Sequence, residues 1–186
     1  MATVEWAEMT ARRLLEVPLP RRWAHVEAVA ARAGCMAEPL GSDGELLRVA
    51  AWVHDVGYSP ELISTAFHPL DGAKYLRSIK AEERLAGLVA FHSSAASEAE
   101  ALGLDDQLAE FTDERTLVRD LLWYADMTIG PSGEILTFEE RMNEVRERYS
   151  PDHYVIRALD AGMGERRDAV LRAERWIDEV GLTDQV

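Results

Sequence analysis

Cysteine is nearly missing from this chain of 186 residues, in which Cys35 stands alone. An internal disulfide is thereby excluded, and so is a metal site built on several thiolates. Any transition metal has to be held by His, Asp or Glu. Positive charge is also scarce: 20 Lys and Arg face 34 Asp and Glu, for a formal net charge of -14. A field of that sign repels nucleic acid and anionic membrane surfaces, so neither is expected as a partner. An anionic small molecule needs a local cation, either a Lys or Arg pocket or a metal. Long uncharged stretches are missing as well. The longest runs from Leu85 to Ser97, too short to span a bilayer, and the opening "MATVEWAEMTARRLL" lacks the apolar core of a signal peptide. A cytoplasmic location is the expectation.

Alternating strand patterns are nearly absent, while 47% of the residues are hydrophobic and recur mostly at helical spacing. The expected fold is all-α, a single domain over 1–186 with no repeat and no dividing linker. Turn signals at "VPLP", "AEPLGSDG", "GPSG" and "SPD" separate helices expected at roughly 3–16, 22–33, 43–56, 69–79, 82–92, 96–111, 113–127, 137–149 and 164–180. Ser42 to Glu45 and Thr137 to Glu140 both fit the capping box. Pro69 suits the first turn of a helix beside His68. The run "FEERMNEVRERY" reads as a solvated helix face. Trp6 and Trp176 lie on terminal helices, where they pack on the domain itself or on a second copy, so a homodimer stays open.

Several polar residues fall on apolar faces. In the helix that ends "AAWVHDVG", Leu46, Ala50, Val53 and His54 sit at i, i+4, i+7 and i+8, and Leu47, Ala51 and Asp55 form the neighbouring row. His25 stands one turn before Val29, His92 follows Leu85, Leu88 and Val89, and Asp126 follows Val118, Leu122 and Ala125. Any one of these has an ordinary explanation, such as a core histidine bonded to a backbone carbonyl. Together they bring imidazoles and carboxylates inward without an obvious buried Lys or Arg. A buried carboxylate costs several kcal/mol unless a cation meets it, and a divalent metal answers that cost. His153, in "SPDHYV", reads as a structural residue between helices.

The order His25, His54-Asp55, Asp126 on separate helices, in the contexts "RRWAHV", "LLRVAAWVHDVG" and "LLWYADM", resembles the HD-domain metal-dependent phosphohydrolase superfamily. The likeness covers roughly residues 20–150 and implies an HD-type helical bundle with packing helices at both ends. It makes His25, His54, Asp55 and Asp126 the ligands of one divalent metal, drawn from Mn, Fe, Ni, Co or Zn. In two-metal branches Asp55 bridges, and His68 and His92 match the histidines of the second ion. Tyr58 stands where the cyclic-dinucleotide phosphodiesterase branch has a lysine, and no acidic pair follows as in the guanosine tetraphosphate hydrolases. The six-ligand pattern is shared by hydrolases of dinucleoside polyphosphates and by mixed-valence di-iron oxygenases. The implied activity is hydrolysis of a phosphoester or phosphoanhydride of a small molecule, first of all a nucleotide. The alternatives are a di-iron oxygenase and a non-catalytic regulatory module. Beside Asp55, Lys74 is expected to face phosphate, Arg141 to grip it bidentately, and Thr128 with the Gly-Pro-Ser-Gly turn to line the pocket mouth.

Overall fold

A computed structural model describes residues 2–186, and it is an all-α bundle. Its helices are α1 (Val4–Ala11), α2 (Pro20–Met36), α3 (Ser42–Val53), α4 (His68–Ser78), α5 (Glu83–Ala90), α6 (Ala95–Leu102), α7 (Asp105–Leu108), α8 (Leu117–Met127), α9 (Phe138–Arg148), α10 (Tyr154–Ala161) and α11 (Met163–Glu179). Among the described residues the nearest thing to a strand is one isolated bridge between Ile129 and Ile135. No helix among them is long and apolar enough to cross a membrane.

α8 is the axis of the molecule. Residues 118 to 127 are all buried, so this helix is enclosed on every side rather than amphipathic. Two of its three charges pair with neighbouring segments, Arg119 with Asp113 at 2.7 Å and Asp120 with Arg172 at 2.6 Å, and the third is Asp126. α3 and α2 pack on one side of α8 and on each other, and α11 covers another side. α4 pairs with α5, and α10 lies against α6. Leu47, Leu70, Leu88, Leu121 and Leu122 join one hydrophobic cluster with Val26 and Val29 of α2.

Local chemistry explains where the elements begin and stop. Thr137 forms its capping box with Glu140, as its sequence predicts. The box expected at Ser42 does not form. Gly41 takes the N-cap position instead, at φ 58°, and Ser42 is already helical. The run expected as one helix over 96–111 breaks at Gly103, whose left-handed φ of 69° ends α6. The first helix widens into a π turn at Arg12–Glu16. α10 is an added element: it fills the eight residues between the "SPD" turn and Gly162, and His153 caps it by accepting the Val155 N–H at 3.3 Å. Trp6 and Trp176 both pack, partly buried, against the chain's own core.

Candidate metal centre

Five helices deliver six side chains to one place. His25 comes from the middle of α2, His54 caps the C-terminus of α3 with Asp55 just beyond it, and His68 opens α4. His92 lies one residue past the C-cap of α5, and Asp126 sits in the last turn of α8. They form two clusters, His25, His54 and Asp126 on one side and Asp55, His68 and His92 on the other. The Asp55 carboxylate spans the two. Its Oδ2 lies 3.4 Å from His54 Nε2 and 3.7 Å from His25 Nε2, while Oδ1 lies 3.3 Å from His68 Nε2 and 3.6 Å from His92 Nε2. One oxygen for each cluster is the arrangement a bridging carboxylate requires.

Backbone carbonyls decide which imidazole nitrogen faces inward. His25 Nδ1–H donates to the Gly130 carbonyl at 3.0 Å, His54 Nδ1–H to Ala51 at 2.7 Å, and His92 Nδ1–H to Val89 at 2.6 Å. A carbonyl only accepts, so each Nδ1 carries a proton, and Nε2 is the nitrogen that would give a lone pair to a metal at the centre on losing its own proton. His54 Nε2 is buried with no hydrogen-bond partner among the described residues. His68 Nε2 and His92 Nε2 approach to 3.1 Å. Such lone pairs and carboxylates, converging in the core, fit a pair of divalent cations.

The electrostatics agree. Burial opposes ionisation of Asp55, but Arg22 and His54 hold its carboxyl well below the usual range. Asp126 is likewise held far down against burial by its hydrogen bond from His25 and by His54. His54 is pushed up to about 9, because Asp55 and Asp126 outweigh its burial. His68 is driven well below its ordinary value, chiefly by burial. Two ionised carboxylates thus draw positive charge into a largely buried site.

The surroundings hold these ligands in place. After Asp55 the chain makes a tight turn, Val56–Tyr58, and Gly57 lies against the start of α4. A Cβ on Gly57 would fall 2.0 Å from the His68 carbonyl oxygen and 2.6 Å from the Gly72 nitrogen. Asp71 fixes the loop leading into α4 by accepting the backbone N–H groups of Ser64 and Thr65, at 3.1 and 2.9 Å. Tyr58 stacks on His68 with centroids 3.9 Å apart, and the Arg22 guanidinium lies 4.1 Å over Tyr58 while donating to Asp55 Oδ2 at 2.7 Å. After His92, Ser93 and Ser94 are both left-handed, at φ 54° and 58°. Such a residue costs roughly 1–2 kcal/mol, and the cost is borne by anchoring contacts. The Ser93 hydroxyl donates to Asp126, and the Ser93 carbonyl accepts from Arg166 Nε at 3.1 Å. Arg166 Nη1 also reaches the Leu159 carbonyl at 3.0 Å, and burial pushes its guanidinium down to about 10. Gly162 permits this approach, since a Cβ there would sit 2.4 Å from Arg166 Nη1.

A cavity of about 140 Å³ opens on the centre. Asp55, His68, His92 and Asp126 form one end. Arg22, Arg141, Arg148 and Arg166 line it with Glu98, and Met142, Val145, Val155 and Leu159 supply apolar wall. Arg141 lines the cavity, buried and paired with Glu144. Lys74 does not line the cavity. Six residues past His68 on a helix is about 240° of rotation, which turns it away to donate to Gln107 at 2.7 Å. Thr128 is buried beneath, its hydroxyl donating to the Tyr124 carbonyl rather than lining the mouth. The Gly-Pro-Ser-Gly turn acts through the Gly130 carbonyl that orients His25.

Arg22 and Arg166 are site residues that the sequence reading misses. Arg22 lies one turn before His25 on the same face, and Arg166 lies on the stripe of Ala169, Val170 and Ala173, so both were detectable as cations on buried faces.

The chain belongs to the HD domain family, whose model matches residues 22–129. The match holds all six candidate ligands and Arg22, and it places the chain in a superfamily of metal-dependent hydrolases. Neither the curated proteins nor the solved structures yield a match. Residues beyond 129, including Arg141, Arg148 and Arg166, lie outside the matched span.

Proposed function

We propose that this protein is a metal-dependent phosphohydrolase that cleaves a phosphoester or phosphoanhydride of a small molecule, with a nucleotide as the first candidate. The observation that carries the reading is the cluster of four arginines at a cavity that ends on four of the six metal-type ligands, in a chain of net charge -14. Cations so placed, against the sign of the whole molecule, select an anion. His25, His54 and Asp126 in one cluster and Asp55, His68 and His92 in the other would hold divalent metal, which would supply Lewis acidity and lower the pKa of water toward neutrality.

The chain's own groups do the rest. Arg22 keeps Asp55 oriented and presents its guanidinium to the cavity. Arg141 and Arg166 face phosphoryl oxygens from the opposite wall, where planar donors suit a tetrahedral anion. Met142, Val145, Val155 and Leu159 seat the apolar part of the substrate and exclude water from it.

Protein purified without chelator should carry one to two equivalents of Mn, Fe, Ni, Co or Zn and release phosphate from some member of a panel of mononucleotides, dinucleotides and phosphomonoesters. The panel is run beside an oxygen electrode. Oxygen uptake without phosphate release would instead mark the iron-dependent oxygenase chemistry that the same ligands support, and silence in both assays would mark a binding module.

A further inference from the structure

The cavity holds one charged group without a counterpart. Each arginine in it is engaged: Arg22 with Asp55 at 2.7 Å, Arg148 with Glu144 at 3.0 Å, Arg141 with the same Glu144, and Arg166 with the carbonyls of Ser93 and Leu159. Glu98, one turn into α6, lines the same cavity half-buried, and among the described residues no donor hydrogen-bonds or ion-pairs with its carboxylate. Burial raises its pKa, and the fields of Arg166 and His92 only partly counter that. An acceptor partly withdrawn from water with nothing to accept is costly, and a ligand that brings a donor removes the cost.

We infer that Glu98 is the specificity-determining residue of this cavity, accepting a hydrogen bond from a hydroxyl or ammonium group on the molecule whose phosphoryl group faces the arginines. The inference rests on the phosphohydrolase reading and narrows it. The substrate class becomes a small phosphate compound that carries its own donor, and a phosphate ester with a purely alkyl remainder is rejected. A site built to pair a substrate donor discriminates strongly against the analogue lacking it, because its own polar group is then left unpaired.

The test uses the full-length, manganese-loaded protein and three probes of nearly equal size: O-phosphoethanolamine, 2-hydroxyethyl phosphate and ethyl phosphate. For the wild type, kcat/KM on the better of the two donor-bearing probes should exceed that on ethyl phosphate by about tenfold or more. In Glu98→Ala that ratio should fall to about one. Glu98→Gln keeps a neutral acceptor and guards against misfolding of the alanine variant; it should retain part of any preference for the hydroxyl compound and lose any for the ammonium compound. Manganese content is measured on every variant. Equal cleavage of all three probes by the wild type overturns the role of Glu98 alone, as does a ratio that survives both substitutions. No cleavage of any probe by the loaded wild type, with no cleavage across the nucleotide panel, overturns the phosphohydrolase reading and this inference with it.

Discussion

The two ends of the cavity are built in different ways. At the metal end, His25, His54 and His92 each have the outward nitrogen tied to a backbone carbonyl, and α2, α3 and the turn at His92 pack around the buried α8. At the far end, α9 and α11 contribute long side chains, Arg141, Arg148 and Arg166, whose charged heads are held by carboxylates and carbonyls. The first end fixes atoms by main-chain geometry that tolerates little change. The second is a wall of side chains whose three arginines lie beyond the matched family span, while Glu98 lies within it. Most of the wall is thus carried by a stretch of chain separate from the ligands, the two being joined where Arg166 clamps the Ser93 turn.

Substitutions on the two sides should therefore fail differently. Asp55→Ala should have the largest effect, removing the group shared by both clusters: activity falls roughly a thousandfold or more, and elemental analysis finds most of the metal gone. An active Asp55→Ala protein would reduce Asp55 to a structural role. Arg166→Met acts at the joint. It strands the Ser93 and Leu159 carbonyls and releases a left-handed pair, so urea unfolding should show a loss of about 2–4 kcal/mol, with metal content reduced and both partly restored in Arg166→Lys. Arg141→Ala belongs to the wall alone. Its KM should rise about tenfold to a hundredfold with metal content unchanged, and a loss of metal instead would erase the distinction between the two ends. Lys74→Ala, outside both, should leave kcat and KM within about twofold, since its amine serves only Gln107.

The metal end was the more legible in the sequence because helical spacing reports burial directly. His54, His92 and Asp126 fall on apolar faces at i+4, i+7 and i+8 steps, and the six-residue pattern resembles one family. The wall was harder to read for physical reasons. "FEERMNEVRERY" looks fully solvated, yet α9 buries Phe138, Arg141 and Met142 against the cavity side. α10 is only eight residues long between two turn signals, too short for periodicity to announce it. Lys74 was misplaced by counting sequence distance instead of rotation. Ser42 carried a capping signature that the left-handed Gly41 made unnecessary. Glu98 has no local signature at all, since its significance lies in the absence of a partner across the cavity.

Gly57 sets the spacing of the metal end. The main chain beside it is so close to the His68 carbonyl that no side chain fits, and Asp55 is only two residues away. A side chain at 57 would push the start of α4 outward and carry His68 off, yet leave His25, His54 and Asp126 on α2, α3 and α8 where they are. One missing β-carbon therefore keeps His68 close to Asp55 and His92, and so holds the second cluster together beside the first.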